Sequence, residues 1–294
     1  MKAIDVPDWR AFDQTVRELR DEYDKESAPL LFRGQGNSKW DLTTTLDRNT
    51  YGTVTDAPYK NSMPGMTLRD YYDLITSGVG PEVKTFSDVD VPERNQKVAD
   101  SFFNDEFLYH FPETFTDMQL YRYMAYLRHL AFPSPLLDWS RSPFVAAFFA
   151  FREDPPARIE KRAIYAFCKS LTGGSGGLVG EASIFHLGPY VQTHHRHFRQ
   201  RCDYTVCAAF DVKQWRFQPH QAVFDRSDQD PEQDLLWKIT LPSDERETAL
   251  RVLNDYNLNA FSLFGSEESL VETMWLREYV LRQSKPKKLG KPAA

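Results

Sequence analysis

Three stretches of the chain set polar side chains into otherwise apolar runs. Arg33 ends Leu30-Leu31-Phe32-Arg33-Gly34-Gln35, Asp138 and Ser140 interrupt Leu136-Leu137-Asp138-Trp139-Ser140, and Gln200 and Asp203 stand just before Tyr204-Thr205-Val206-Cys207-Ala208. A polar group in a buried strand needs a protein partner or a ligand to satisfy it. Arg33 then has two outcomes: a structural ion pair with Asp138, or a grip on an anion, because a guanidinium offers phosphate a planar fork of donors. Arg33, Ser140 and Gln200 are expected to meet in one pocket although they lie far apart in sequence. Asp203 takes the place of Gln200 if the latter turns into the core. Strand side chains alternate between faces, so a regular strand does not bring both Gln200 and Asp203 to the pocket.

Other chemistry-bearing groups have plainer readings. His194, His195, His197, Cys202 and Cys207 cluster in sequence, but their spacing fits no standard zinc pattern and Tyr204-Thr205-Val206 between the cysteines reads as strand. No metal site is expected. Gly173-Gly174-Ser175-Gly176-Gly177 lacks the Lys-Ser/Thr of a phosphate loop. His129 closes an amphipathic helix, and Glu267 and Glu268 open one, where the helix dipole accounts for them. Arg122, Arg128, Arg141, Arg196, Arg199 and Arg201 are the basic residues available to a local groove for RNA or DNA.

The elements that must position these groups follow from periodicity. Trp9, Phe12, Val16 and Leu19 fall at helical spacing within Asp8–Lys25, and Ala28-Pro29 ends that helix. Residues 36–66 are turn-rich. Helical patches are expected near Leu68–Ile75 and Val98–Tyr109, and a helix at about Phe115–Leu130. Ser142-Pro143 starts a central apolar helix over Phe144–Phe151, with Ser as N-cap and Pro in the first turn. Strands are expected at Ala163–Cys168, Tyr204–Ala208, Ala222-Val223-Phe224 and Leu235–Thr240, a helix from Pro242-Ser243 to about Asp255, and a last helix from Ser266. Strands and helices interleave without a βαβ rhythm, so the class is α+β. One domain over 1–283 is expected, with a helical insertion at about 53–125 and a basic tail at 284–294.

Composition bounds the function. The chain of 294 residues is 41% apolar and 14% aromatic, enough for a sizeable core, with a formal net charge of −6. Four of the lysines and none of the acids lie in 284–294, so the rest is more acidic still and is not a broad electrostatic surface for nucleic acid. Three cysteines favour a reducing compartment over a disulfide scaffold. The longest apolar run, Phe144–Phe151, is too short to span a bilayer, and Met1–Asp5 lacks the apolar stretch of a secretory signal. A cytoplasmic protein with no membrane partner is the expectation.

Phe32-Arg33-Gly34-Gln35, with Trp40 and Leu42 behind it, resembles the signature of the FRG domain family. His129 and Pro133–Ala150, with Leu136-Leu137-Asp138-Trp139-Ser140-Arg141-Ser142-Pro143-Phe144 at its centre, look like that family's central block. His194–Thr205, Trp237–Pro242 and Asn257–Phe264 look like its later segments, extending the resemblance over roughly 30–282. Ser134-Pro135 stands where the family usually has Thr-Arg. A second resemblance is to the Arg–Ser–Glu layout of ADP-ribosyltransferases, and it implies a split sheet flanked by helices. By that resemblance NAD is the substrate: Arg33, Gly34, Gln35, Asp138, Ser140, Ser142 and Tyr204 would hold it, and Arg33, Gln200 and Asp203 would serve the chemistry. The reading implied is an NAD-consuming effector that modifies RNA, DNA or protein. It would act as the toxin of a bacterial toxin–antitoxin or phage-defence unit, with an antitoxin or chaperone as possible protein partner. Its rivals are a non-catalytic nucleotide-sensing or protein-binding module and, third, a nuclease, for which no carboxylate cluster can be assembled.

Overall fold

The computed structural model describes residues 1–25, 28–48, 66–103, 118–153, 159–171, 180–189, 195–211, 213–225 and 232–282. Along the chain run β1 (Lys2–Asp5), α1 (Trp9–Tyr23), β2 (Leu31–Gln35), α2 (Leu68–Asp73), α3 (Gly80–Phe86), α4 (Gln96–Ser101), α5 (Met118–His129), β3 (Leu137–Ser140), α6 (Pro143–Phe151), β4 (Lys161–Ser170), β5 (Ser183–His186), α7 (His195–Arg199), β6 (Cys202–Asp211), β7 (Gln214–Phe217), α8 (Gln221–Phe224), β8 (Gln233–Pro242), α9 (Arg246–Asp255), α10 (Ala260–Phe264) and α11 (Glu267–Trp275). The strands form one eight-stranded sheet in the order β1-β8-β4-β2-β3-β6-β5, with β7 also on β6. The β1–β8 pair is parallel and the others are antiparallel. The fold is α+β, a sheet flanked by helices.

Strand alternation divides the core. Phe32, Ile164, Ala166 and Cys168 face one layer, where α1, α6 and α9 pack. Tyr204, Val206 and Ala208 face a neighbouring cluster built from α2, α4 and α5. Leu31, Leu137, Trp139, Tyr165, Phe167 and Cys207 point to the opposite side, with Leu42, Val223 and Phe224 over them. The described elements between β2 and β3 are helical, in the place where the insertion is expected; residues 49–65 and 104–117 of that stretch lie outside the described residues, as do Gly173–Gly177 and the basic tail.

Local chemistry sets two helices of the layer that packs on Phe32 and Ile164. Asp8 caps α1 by accepting from the Ala11 N–H at 2.8 Å, and Trp9, Phe12, Val16 and Leu19 form its buried face. Ser142 caps α6 through the Val145 N–H, and Pro143 occupies the first turn. That helix lies directly on β2. A Cβ on Gly34 would sit 1.8 Å from the Ala146 carbonyl oxygen and 2.7 Å from the Ala150 nitrogen, so only glycine admits this approach.

Ala222-Val223-Phe224, expected as strand, is instead a turn of helix, α8. Three apolar residues fit either period, and local bonds decide: the Ala222 N–H donates to Pro219 and the Asp225 N–H to Gln221. The short strands β1, β5 and β7 and the one-turn helices α7 and α10 are further elements that periodicity did not mark.

Gly34→Ala is expected to lower stability by about 1–3 kcal/mol, the usual cost of forcing extra volume into a packed core. The denaturant midpoint measures it, and a variant as stable as the parent would show that α6 can retreat from β2.

Candidate functional site

The ladder between β2 and β3 consists, among the described residues, of one pair, Phe32↔Ser140. Beside it the sheet opens, and Arg33 fills the opening. Its Nη1 donates to the Asp138 carbonyl oxygen at 2.7 Å and lies 3.0 Å from Asp138 Oδ2. By alternation Arg33 shares a face with Leu31, whereas Asp138 shares one with Tyr204. The two side chains meet through the interrupted ladder.

From the other side α5 brings Arg128, whose Nη2 is 2.6 Å from Asp138 Oδ1. Asp138 therefore bridges two guanidiniums. Its side chain is 41% exposed, against 10% for Arg33 and 21% for Arg128, so the carboxylate is the open face of the cluster. Burial alone would raise the Asp138 pKa; the guanidiniums of Arg33 and Arg128 outweigh it and hold the carboxyl well below the usual carboxylate range. Arg48 stands close by, its Nε donating to Thr43 Oγ1 at 3.1 Å. Burial, then the positive charge of Arg33, pushes the Arg48 pKa down, with Arg128 adding to it. Two guanidiniums thus pair with the Asp138 carboxylate while Arg48, near enough to feel both of them, also stands beside Asp47, and the Nε groups of Arg33 and Arg128 are buried without a hydrogen-bond partner among the described residues. Such a surplus of donors is suited to a second anion.

The other sequence-expected residues form a different arrangement. Ser140 Oγ donates to the Gln200 carbonyl oxygen at 2.7 Å and accepts from the Ser142 N–H at 3.0 Å. The Gln200 amide nitrogen donates to the Leu263 carbonyl at 3.3 Å, so Ser140 and Gln200 come together but bond each other and the backbone, while Arg33 bonds Asp138. Asp203 is wholly buried between Arg141, at 3.1 Å, and His186 Nε2, at 2.8 Å, and accepts the Tyr204 N–H. Gln35 is buried, donating to the Asp41 carbonyl, with its Oε1 unpartnered among the described residues. Tyr204 is buried, its hydroxyl 3.2 Å from His129 Nε2 and its ring stacked on His197. Gly34 contributes by admitting α6.

The cysteines are buried free thiols. Burial pushes Cys202 up to about 12 and Cys207 well above its ordinary value, so both stay protonated and neither is an activated nucleophile. Among the described residues no group of three His, Cys, Asp or Glu side chains is placed to hold a metal ion; His194 lies outside them. No helix among the described residues is long and apolar enough to cross a membrane.

Arg128 and Arg48 are the residues sequence reasoning did not assign to this site. Arg128 had a signal: it follows the apolar face of α5 immediately before His129. Arg48 had none, since it lies in a turn-rich stretch without periodicity.

Residues 28–158 match the family model of the FRG domain. The matched span holds Arg33, Gly34, Gln35, Arg48, Arg128, Asp138, Ser140 and Ser142; Gln200, Asp203 and Tyr204 lie beyond it. No curated protein and no solved structure gives a significant match to the chain.

The depressed Asp138 pKa links stability to pH. A carboxyl lowered on folding adds stability that is fully present above its unfolded value, about 4, and is lost as pH falls toward the folded value. Asp138→Asn is expected to cost about 1–2 kcal/mol, a charge-assisted bond trimmed for the exposed carboxylate. The gap in unfolding free energy between parent and variant should hold steady from pH 5 to 8 and narrow below about pH 4. A gap independent of pH would show that the pair is not ionised.

Proposed function

We propose that the opening between β2 and β3 is a binding site for the diphosphate of a nucleotide, with NAD the first expected ligand. One observation carries the proposal: Arg33 and Arg128 both pair with the carboxylate of Asp138, with Arg48 near by, at a place where the β2–β3 ladder is reduced to one described pair. A diphosphate spreads its charge over oxygens that planar guanidinium forks match.

Built on this site, the protein is an NAD-consuming ADP-ribosyltransferase-like effector modifying a macromolecule, nucleic acid or protein, in the setting of a toxin–antitoxin or phage-defence unit. The interrupted β2–β3 ladder supports the split-sheet arrangement this requires. In that reaction the bond from ribose C1′ to nicotinamide breaks, and the developing positive charge needs a fixed acceptor or anion beside it. A specific observation favours the second reading, a non-catalytic nucleotide-sensing module. Asp203 is engaged by Arg141 and His186, and the Gln200 amide is turned to Leu263, so neither presents a free group.

Isothermal titration with pyrophosphate and with NAD tests the site. The parent is expected to bind both, and Arg33→Ala to weaken both by at least about tenfold, since a lost charge-assisted bond is worth about 1.5–3 kcal/mol. Arg33→Lys should fail nearly as badly, because a point charge does not reproduce the fork. Failure of the parent to bind either ligand overturns the proposal. Nicotinamide release from NAD by the parent, lost in Arg33→Ala, selects the transferase; binding without release selects the sensor.

A further inference from the structure

The last helix of the described chain is turned inside out. α11 runs on from Trp275 into a wider helical turn at Leu276–Leu281. The side it gives to the protein includes the small polar residues Ser269 and Thr273, both buried. The Thr273 hydroxyl accepts the Phe261 N–H at 2.9 Å and donates to the Ser269 carbonyl oxygen at 2.9 Å. Large apolar side chains point outward instead. Val271 is 68% exposed, Trp275 58% and Tyr279 52%, and the Trp275 and Tyr279 rings stack with centroids 4.1 Å apart. A surface helix ordinarily has the reverse arrangement, and a contiguous exposed apolar face marks a surface that something covers.

The order of residues along that face says what covers it. Val271 and Tyr279 lie four residues either side of Trp275, and the exposed Glu268 and Arg282 lie seven either side. Spacings of three and four keep such a row together on one side of a helix. The row is therefore symmetric about Trp275 in its apolar residues and opposite in charge at its two ends. A two-fold axis at Trp275 would set a second copy antiparallel, with Val271 on Tyr279 and Glu268 of each copy opposite Arg282 of the other. A parallel pairing would bring like charges together at both ends, which is costly. The acids between the ends are answered within one protomer, Glu272 by Arg152 and Glu278 by Arg282, each at 2.6 Å. A guanidinium has donors enough for Arg282 to serve Glu278 and a second carboxylate.

We propose that this face is an isologous, antiparallel dimer interface whose partner is a second copy of this chain. It shares no residue with the site between β2 and β3 and does not rest on the diphosphate reading. The fifteen residues of Glu267–Leu281 make a face about 22 Å long at 1.5 Å per residue. That is small for a permanent assembly, so a dimer dissociating in the micromolar range is expected.

Sedimentation velocity of the full chain from about 1 to 500 μM, a span suited to a small interface, tests this, with thermal unfolding to confirm that each variant is folded. The unsubstituted protein is expected to pass from monomer to dimer and stop there, because an isologous contact closes at two copies. Trp275→Asp sets two like charges on the axis and should weaken the dimer by at least about tenfold. Glu268→Arg and Arg282→Glu should each weaken it about tenfold. The double variant should return to within about threefold of the parent, since it restores opposite charges across the axis. A parent that stays monomeric at the highest concentration overturns the proposal, and so does growth beyond two copies. A dimer indifferent to Trp275→Asp lies elsewhere on the molecule and overturns it too. So does a double variant that recovers nothing of what the single ones lose. If Trp275→Asp does not fold, the three charge variants decide alone.

Discussion

Asp138 is held from two sides, by Arg33 on β2 and by Arg128 on α5, and this bridge joins the middle of the sheet to the helices that follow β2 in sequence. Neither cation is fully exposed, so each depends on the carboxylate for compensation, and the carboxylate depends on both for its charge. The bridge occupies the position where a continuous sheet would have paired β2 with β3. The interruption of the ladder and the ion cluster are therefore one feature: side-chain bonds from Arg33 take over where backbone pairing stops.

The residues of the Phe32-Arg33-Gly34-Gln35 segment do unlike work in consecutive positions. Phe32 is buried in the core beneath α1 and α6. Arg33 spans the opening, Gly34 gives up its side chain so that the α6 backbone can lie against β2, and Gln35 bonds the Asp41 carbonyl and so anchors the start of the stretch that carries Arg48. The missing side chain at Gly34 lets the α6 backbone at Ala146 and Ala150 lie against β2. The packing requirement and the electrostatic one are met by the same short sequence.

A second ionic knot lies on the far side of β3. Asp203, with no exposed surface, takes Arg141 and His186 and so ties β6 to β5 and to the turn before α6. Its burial and its pairing suit a structural part, since a buried carboxylate left unpaired would cost several kcal/mol. Asp138 is partly open to solvent and Asp203 is enclosed, so the two acids differ in what can reach them.

The amphipathic α1, the apolar α6 with its Ser142 cap and the central strands around Phe32, Leu137 and Ile164 were legible in the sequence, because their spacing and capping are local properties of the chain. So was the pairing of Arg33 with Asp138, since a cation in an apolar strand demands a partner wherever it is. Short elements such as β1, β5, β7 and α8 were not, because four residues carry too little periodicity to choose a state and take theirs from neighbours. The company Arg33 keeps was decided by tertiary structure alone. Arg48 and Arg128 reach it from a loop and a helix. Which polar groups end up satisfied, as Asp203 does, and which end up buried with a donor unpartnered among the described residues, as Arg33 and Arg128 do, depends on strand register and on the gap between β2 and β3. Those are long-range pairings, and no local pattern in the chain encodes them.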